Sequence, residues 1–498
     1  MRSGGSVRNV IVLFMSPWIK LLSTFSVARN SREHPVTVSQ AGCHKDTLTN
    51  LFVGRHLALV VGVYVAALAF TMSAIHPIAT RLAPGIDCPR YWPMGVFKLK
   101  NFLSGGNVHN LAYFAMSSAV FVLVMKSRRV VLANVATMLS VCVLLVISTN
   151  LIQGPQLGLA RPTYEKGGVE QYYNDALAVR STGDFLRRFA DIQHTLSAHA
   201  RTHPPGATLV YYWAKQFWPS PSAISILIAT AATFGTGLPL YMLLLDRIQR
   251  SRALFLTFVF LLIPSIQVYY LASLDALVAG VVLAVVLFYT RPKSFPGIIG
   301  AGGAFFAASS LTFAAVFLLP VLLGYEVLCR RNVARFTAVL AIATGAHLVV
   351  YYTSGFNYIA GVSTASRLEN PHGFRLLCDT GSYILTRFEN IAEILVFLGP
   401  FMILLGSRGL RVLRSQKEFR DWYVLMLLAV GTLLAMFATG AFRTGETGRT
   451  CLFIFPFLFL PVAAYLGNRQ LNERDEILLP LLLFAHTVIF QAMGRYYW

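Results

Sequence analysis

The chain has 498 residues, 56% of them hydrophobic and 13% charged, with a mean hydropathy of +0.60. A soluble domain carries about 25% charged residues; half that share over this length leaves too little polar surface for a water-facing globule and excludes a soluble multi-domain protein. The formal net charge of +21 sits mostly in short links between apolar blocks, as topology signals do, and no basic stretch is interleaved with aromatics to stack bases. The expected partners are therefore the lipid bilayer and an anionic lipid or phosphate-bearing substrate, with no nucleic acid.

Residues 8–28 are apolar but carry Pro17 and Lys20; they fit a weak anchor, an interfacial helix or an over-extended start. Residues 29–56 are polar and basic, so 1–56 reads as a cytoplasmic N-terminal segment and 57–498 as the membrane domain. A helix needs about 20 apolar residues to cross a bilayer. By that rule about thirteen spans follow, at 57–75, 108–125, 130–150, 222–245, 253–271, 273–290, 295–312, 313–328, 335–353, 389–406, 421–440, 450–467 and 477–494. The apolar stretch 207–218 reads as a short interfacial helix. The expected fold is all-α, a polytopic membrane protein with an extracytoplasmic loop that bears interfacial helices.

Alternate links are short and basic: Lys126 to Arg129, Arg247 to Arg252, Arg291 with Lys293, Arg330 to Arg335, Arg408 to Arg420, and Arg469 with Arg474. Positive charge marks the cytoplasmic side. The remaining links, at 76–107, 151–221, 354–388 and 441–449 and at the corner near 272, then face outward. They carry the His, Asp, Glu, Tyr and Trp residues, and long ordered loops usually do more than connect. The spans read as nearly free of ionisable groups, with His347 the clearest exception.

The main outer loop, 151–221, is the densest polar region. It holds Arg161, Glu165, Glu170, Asp175, Asp184, Arg187, Arg188, Asp191, His194, His199, Arg201 and His203, and closes on Pro204, Pro205 and Gly206. Carboxylates are the usual bases for a hydroxyl, and cations stabilise a departing phosphate. Asp184, Arg187, Arg188 and Asp191 have helical spacing, which equally fits a solvated helix face. His199 and His203 are four apart, like a metal pair, but lack an evident third ligand. The proline pair could simply stop a helix.

A second cluster, Arg443, Glu446 and Arg449, lies between two spans and suits phosphate or carboxylate binding, or snorkelling at a span end. A third feature runs from Pro264 to Asp275 and puts an acid at the outer end of a span; it reads either as functional or as a first-turn acid beside Ser273. Asp87, Arg90 and Lys98 lie in the first outer link, and Arg367, Glu369, His372, Arg375 and Asp379 in 354–388. The six cysteines form no CxxC pair, so a zinc or redox centre has no support. Cys88 and Cys378 fall in links placed outside, where pairing is open.

On the run from Ser197 to Gly206, the run Gly445 to Arg449 with Phe453 and Pro456, and the Pro264–Asp275 corner, the chain resembles the GT-C class of membrane glycosyltransferases. More narrowly it resembles bacterial relatives of the dolichyl-phosphate-mannose–protein mannosyltransferases. The resemblance covers most of 57–498 and implies sugar transfer from a polyprenyl-phosphate donor on the outer side of a bacterial plasma membrane, with an acidic base in an early outer loop. That base usually follows the first span, where the only acid here is Asp87; the richer set follows the third. Asp175 is the favoured base, with Asp184 and Asp87 next. Glu170, His199, Arg201, His203, Asp275, Arg443, Glu446 and Arg449 are the expected substrate-binding residues. The resemblance leaves a divalent metal, Mg or Mn, open as cofactor. The rival readings are a secondary transporter of a lipid or small anionic solute, which would carry its polar groups near the midplane, and a non-enzymatic scaffold.

Overall fold

The structure, a computed structural model, describes residues 55–70, 108–164, 172–291, 295–442, 446–494 and 496. The expectations for residues 1–54, Asp87, Cys88, Glu170 and Arg443 fall outside the described residues. Among the described residues there are helices and turns and no strand. A membrane interior requires each segment to satisfy its own backbone, which helices do.

In chain order the main helices are α1 (Arg55–Phe70), α2 (Val108–Lys126) and α3 (Val135–Asn150). The long loop then carries α4 (Tyr172–Ala178), α5 (Thr182–Ile192) and α6 (Pro205–Phe217). There follow α7 (Pro221–Leu245), α8 (Arg250–Leu261), α9 (Pro264–Tyr269), α10 (Leu274–Thr290), α11 (Phe295–Leu311), α12 (Leu318–Tyr325), α13 (Ala334–Ser354) and α14 (Tyr358–Glu369). The last five are α15 (Thr380–Leu398), α16 (Pro400–Ser415), α17 (Arg420–Ala438), α18 (Phe455–Gly467) and α19 (Glu473–Met493).

Six described helices are long and apolar enough to cross a membrane, and α15 with α16 makes a seventh if that pair, bent by 96°, is one span. This is fewer than the thirteen full-length spans expected. Several expected spans fall on shorter apolar helices, among them α10 and α11. The segment 253–271 is divided at Leu262 and Ile263 because Pro264 cannot continue an α-helical hydrogen-bond ladder. The segment 389–406 bends where Gly399 (φ +88°) meets Pro400.

The basic links meet at one end of the bundle. Arg128 pairs with Glu473, Arg252 with Glu476 at 3.4 Å, Arg247 with Asp421 at 3.2 Å and Arg330 with Glu326 at 3.4 Å. Arg335, buried at this end, donates to the Arg291 and Phe288 carbonyls at 2.6 and 2.7 Å and so caps the C-terminus of α10. The long loops meet at the other end, called here the loop face.

Between the two ends, α7 and α10 cross so closely that a Cβ on Gly280 would lie 2.9 Å from the Gly235 carbonyl carbon. Small residues at such crossings are how membrane helices gain contact. Helices α8 and α9 are almost wholly buried. By contrast Leu123, Leu144, Leu348, Val349, Leu427 and Ile489 are exposed on the outside of their helices. Burying such side chains is worth about 1.5–3 kcal/mol each, so these surfaces are matched to lipid. The chain is a polytopic all-α membrane protein.

Candidate functional site

The end of the main loop is fixed by its helix start. Pro204 is the N-cap of α6 and Pro205 its first residue, where a missing N–H costs nothing. Gly206 follows because the first turn lies on the end of α11; a Cβ there would come within 2.2 Å of the Ser310 carbonyl oxygen. One turn later Tyr211, fully buried, donates from its hydroxyl to the Ala272 carbonyl at 2.7 Å. Its ring stacks on Tyr172 of α4 at 5.8 Å, and Tyr172 in turn meets the His203 ring edge-on at 5.4 Å. The loop is thereby seated on the corner between α9 and α10.

At that corner Ala272 has a left-handed backbone, φ +63°. Ser273 caps α10, accepting from the Asp275 N–H at 3.1 Å. Asp275 is thus a first-turn acid, and it also faces Arg449: the Arg449 Nε lies 3.9 Å from the carboxylate. The Arg449 Nη2 donates to Glu446 at 2.7 Å. Glu446 stands at φ +57° at the start of the single turn Thr447–Thr450, a conformation costly for a non-glycine residue. Arg449 is buried, and Asp275 and Glu446 are largely so.

His199 and His203 join this cluster from the loop. The His203 Nδ1 lies 2.9 Å from the His199 carbonyl oxygen. Burial holds both imidazoles below the ordinary histidine range, and the positive charge of Arg449 adds to it for each. The charge of Glu369, at the end of α14, works in the opposite sense on His203. Two histidines from the loop, Asp275 from one span corner and Glu446 with Arg449 from another therefore share one electrostatic environment.

Asp175 sits on α4 beside this cluster. It accepts from the Ser197 N–H at 3.2 Å and the Ser197 hydroxyl at 2.5 Å, two residues before His199. It is half-buried. Loss of hydration raises its pKa above the ordinary carboxylate value, and the two Ser197 bonds oppose that rise. Lys215 of α6 donates to the Ala176 carbonyl at 2.6 Å and holds α4 against α6. Arg201 is half-buried, and its Nε meets no acceptor among the described residues.

Asp184 lies apart. Ser181 caps α5 by accepting from the Asp184 N–H at 3.2 Å, and the carboxylate pairs with Arg188 at 3.7 Å, both side chains about half exposed to solvent. Asp191 and His194 are exposed. His347, the expected mid-span exception, lies 2.7 Å from the Ser309 hydroxyl. The Cys378 thiol donates to the His372 carbonyl at 2.8 Å. No group of three or more His, Cys, Asp or Glu among the described residues is set to hold a metal.

The reading of spans as nearly free of ionisable groups needs correcting for α15. Glu389 and Glu393 are buried there, as is Asn390. Glu393 accepts from the Thr447 N–H at 2.6 Å, directly below Glu446 in sequence. The signal for this was present: Arg387, Asn390 and Glu393 stand three apart in an apolar run, which puts them on one helix face.

No protein-family model matches the chain, and no curated protein matches it. Among solved structures it is similar to ArnT from Cupriavidus metallidurans in the apo state, at 15% identity over 57% of this chain and 54% of that one, with a TM-score of 0.37. The match spans about half the length of that structure, and at this identity and TM-score it does not establish a shared fold.

Proposed function

We propose that the chain is a membrane glycosyltransferase. It moves a sugar from a polyprenyl-phosphate donor to an envelope glycan, lipid or protein acceptor, on the face where the long loops gather, which is the outer face of a bacterial plasma membrane. The observation that carries the reading is the convergence of His199, His203, Asp275, Glu446 and Arg449 beside Asp175. A lipid-linked donor must be met at the membrane edge by groups that handle a phosphate, and an acceptor hydroxyl needs a carboxylate within reach. The loop helices reach this cluster beside the first turn of α10, which supports placing both groups in one site.

In this reading Asp175 takes the proton from the acceptor hydroxyl. The hydroxyl oxygen then bonds to the anomeric carbon as the bond from that carbon to the phosphate oxygen breaks, and the electron pair leaves with the phosphate. Arg201 and Arg449 offset the charge that develops on the departing phosphate. Arg449 is held in orientation by Asp275 and Glu446. His199 and His203, uncharged, offer hydrogen bonds to the sugar hydroxyls without adding charge. Asp184, on its solvated helix face, and Asp87 are the next choices for the base, and Glu170 is a proposed substrate contact; Asp87 and Glu170 lie outside the described residues.

The test is transfer of radiolabel from a polyprenyl-phosphate sugar by purified protein, comparing the native chain with Asp175→Asn and Arg449→Gln. Loss in both supports the reading; equal transfer in all three removes it. One observation favours a transporter instead: α15 and α16 form a bent pair with buried carboxylates, the kind of element that carries solute sites. Uptake of label into vesicles without any transfer would select that reading.

A further inference from the structure

Helix α15 grips the segment that carries Glu446 and Arg449 at both ends. Toward its start, Tyr383 donates to the Ala438 carbonyl at 2.6 Å. Arg387 donates to the Ala441 carbonyl at 2.8 Å and the Phe442 carbonyl at 3.2 Å. One turn on, the Asn390 amide donates to the Phe442 carbonyl at 3.1 Å, and the Asn390 backbone carbonyl accepts from the Thr447 hydroxyl at 2.7 Å. One turn further, the Glu393 carboxylate accepts from the Thr447 N–H at 2.6 Å and the Thr447 hydroxyl at 3.3 Å. Glu393 is fully buried.

Phe442 (φ +58°) and Glu446 (φ +57°), next to the residues that α15 holds, both stand in the left-handed region and are strained there. Such residues keep that conformation only where their surroundings over-determine it. The bonds from α15 supply that determination. The bond to the Thr447 N–H matters most, because it falls between the strained Glu446 and the arginine two residues later. A carboxylate is also an expensive group to place inside a membrane protein, and no other job for Glu393 is visible in its hydrogen bonds.

We infer that Glu393 is a positioning residue for the candidate site: through Thr447 it fixes the backbone from which Glu446 and Arg449 reach Asp275. The effect on substrate rests on the proposed function, in which Arg449 faces the donor phosphate. The effect on the backbone does not.

The experiment pairs hydrogen exchange with transfer kinetics on the full chain in detergent. In Glu393→Leu, which leaves the Thr447 N–H with no side-chain acceptor, amide exchange in a peptide covering 446–451 should speed at least tenfold. Because Arg449 acts on charge that develops in the transition state, kcat should fall by a similar factor, with the donor KM changed less than threefold. Glu393→Gln, which keeps an amide oxygen there, should recover part of both. Should Glu393→Leu fail to fold, Thr447→Val removes the hydroxyl bonds with Glu393 left in place, and the same changes are expected at smaller size. Unchanged exchange in 446–451, or a rise in KM with kcat constant, overturns the inference. Faster exchange in a chain whose native form transfers no sugar would uphold the positioning role and remove the proposed function.

Discussion

The two ends of the bundle use the same residue types to different ends. At the basic face, most arginines and acids pair across helices, as in Arg247 with Asp421 and Arg252 with Glu476, and Glu473 meets both Arg128 and Arg129. Arg247, Asp421, Arg252 and Glu476 are partly exposed and stand on ordinary helical backbone or helix ends, whereas Glu326 and Arg335 of this face are buried. At the loop face one buried arginine, Arg449, faces two acids, one of them on left-handed backbone, with two histidines alongside. The first arrangement ties neighbouring helices together and sets topology. The second concentrates unlike groups in a place where each changes the behaviour of the others. Charged residues alone therefore do not mark a site; shared, sheltered and strained ones do.

That contrast breaks most visibly at Asp175. Replacing it by Asn should lower transfer by about 10²–10⁴-fold, the usual contribution of a positioned base, with the melting temperature little changed. Arg449→Gln should cost about 10²–10³-fold in kcat/KM, as loss of a charge-stabilising group does. Activity equal to the native chain in either variant would put the two faces on the same footing.

Acidification sharpens the comparison. His199 and His203 have folded pKa values below the ordinary 6.5. Below pH about 6.5 the unfolded chain therefore takes up protons that the folded chain does not, and stability falls as pH is lowered through that window toward the folded values. A His199→Gln, His203→Gln variant should lose less stability than the native chain between pH 7 and pH 5, read by thermal unfolding. Asp175 shifts the other way. Its raised pKa places the acid limb of the transfer profile above the ordinary carboxylate value, and Ser197→Ala, which removes a bond opposing the rise, should move that limb further up.

The smallest effects belong to the basic face and the outer helix. Exposed pairs contribute about 0.2–1 kcal/mol, so Asp421→Asn, which removes the partner of Arg247, should leave transfer within about twofold of native. Asp184→Asn should do the same, because its pair with Arg188 is exposed. A large loss of transfer in Asp184→Asn would instead make α5 part of the site.

The sequence made much of this readable. Alternating basic links identified the end where Arg128, Arg247, Arg252 and Arg330 find their partners, because charge in short links is a local property. Hydropathy located the helices but not their breaks: Pro264 divides one apolar block and the Gly399–Pro400 junction bends another. The runs at 197–206 and 446–449 and the acid at 275 were each visible, yet their meeting was not, since it depends on Tyr211 reaching Ala272 and Arg449 reaching Asp275 across long separations. Glu393 was missed for a physical reason. The apolar stretch 394–406 dominates the hydropathy of its segment; its spacing with Arg387 and Asn390 was readable, but its bond to Thr447 was not.

The most direct test of the account is labelling of single cysteines at positions 175, 199, 446 and 473 with a membrane-impermeant reagent, in vesicles of each orientation. The account predicts that 175, 199 and 446 react from the non-cytoplasmic side only and 473 from the cytoplasmic side only. Reaction of 175 and 446 from opposite sides would contradict it, because no single pocket could then hold both.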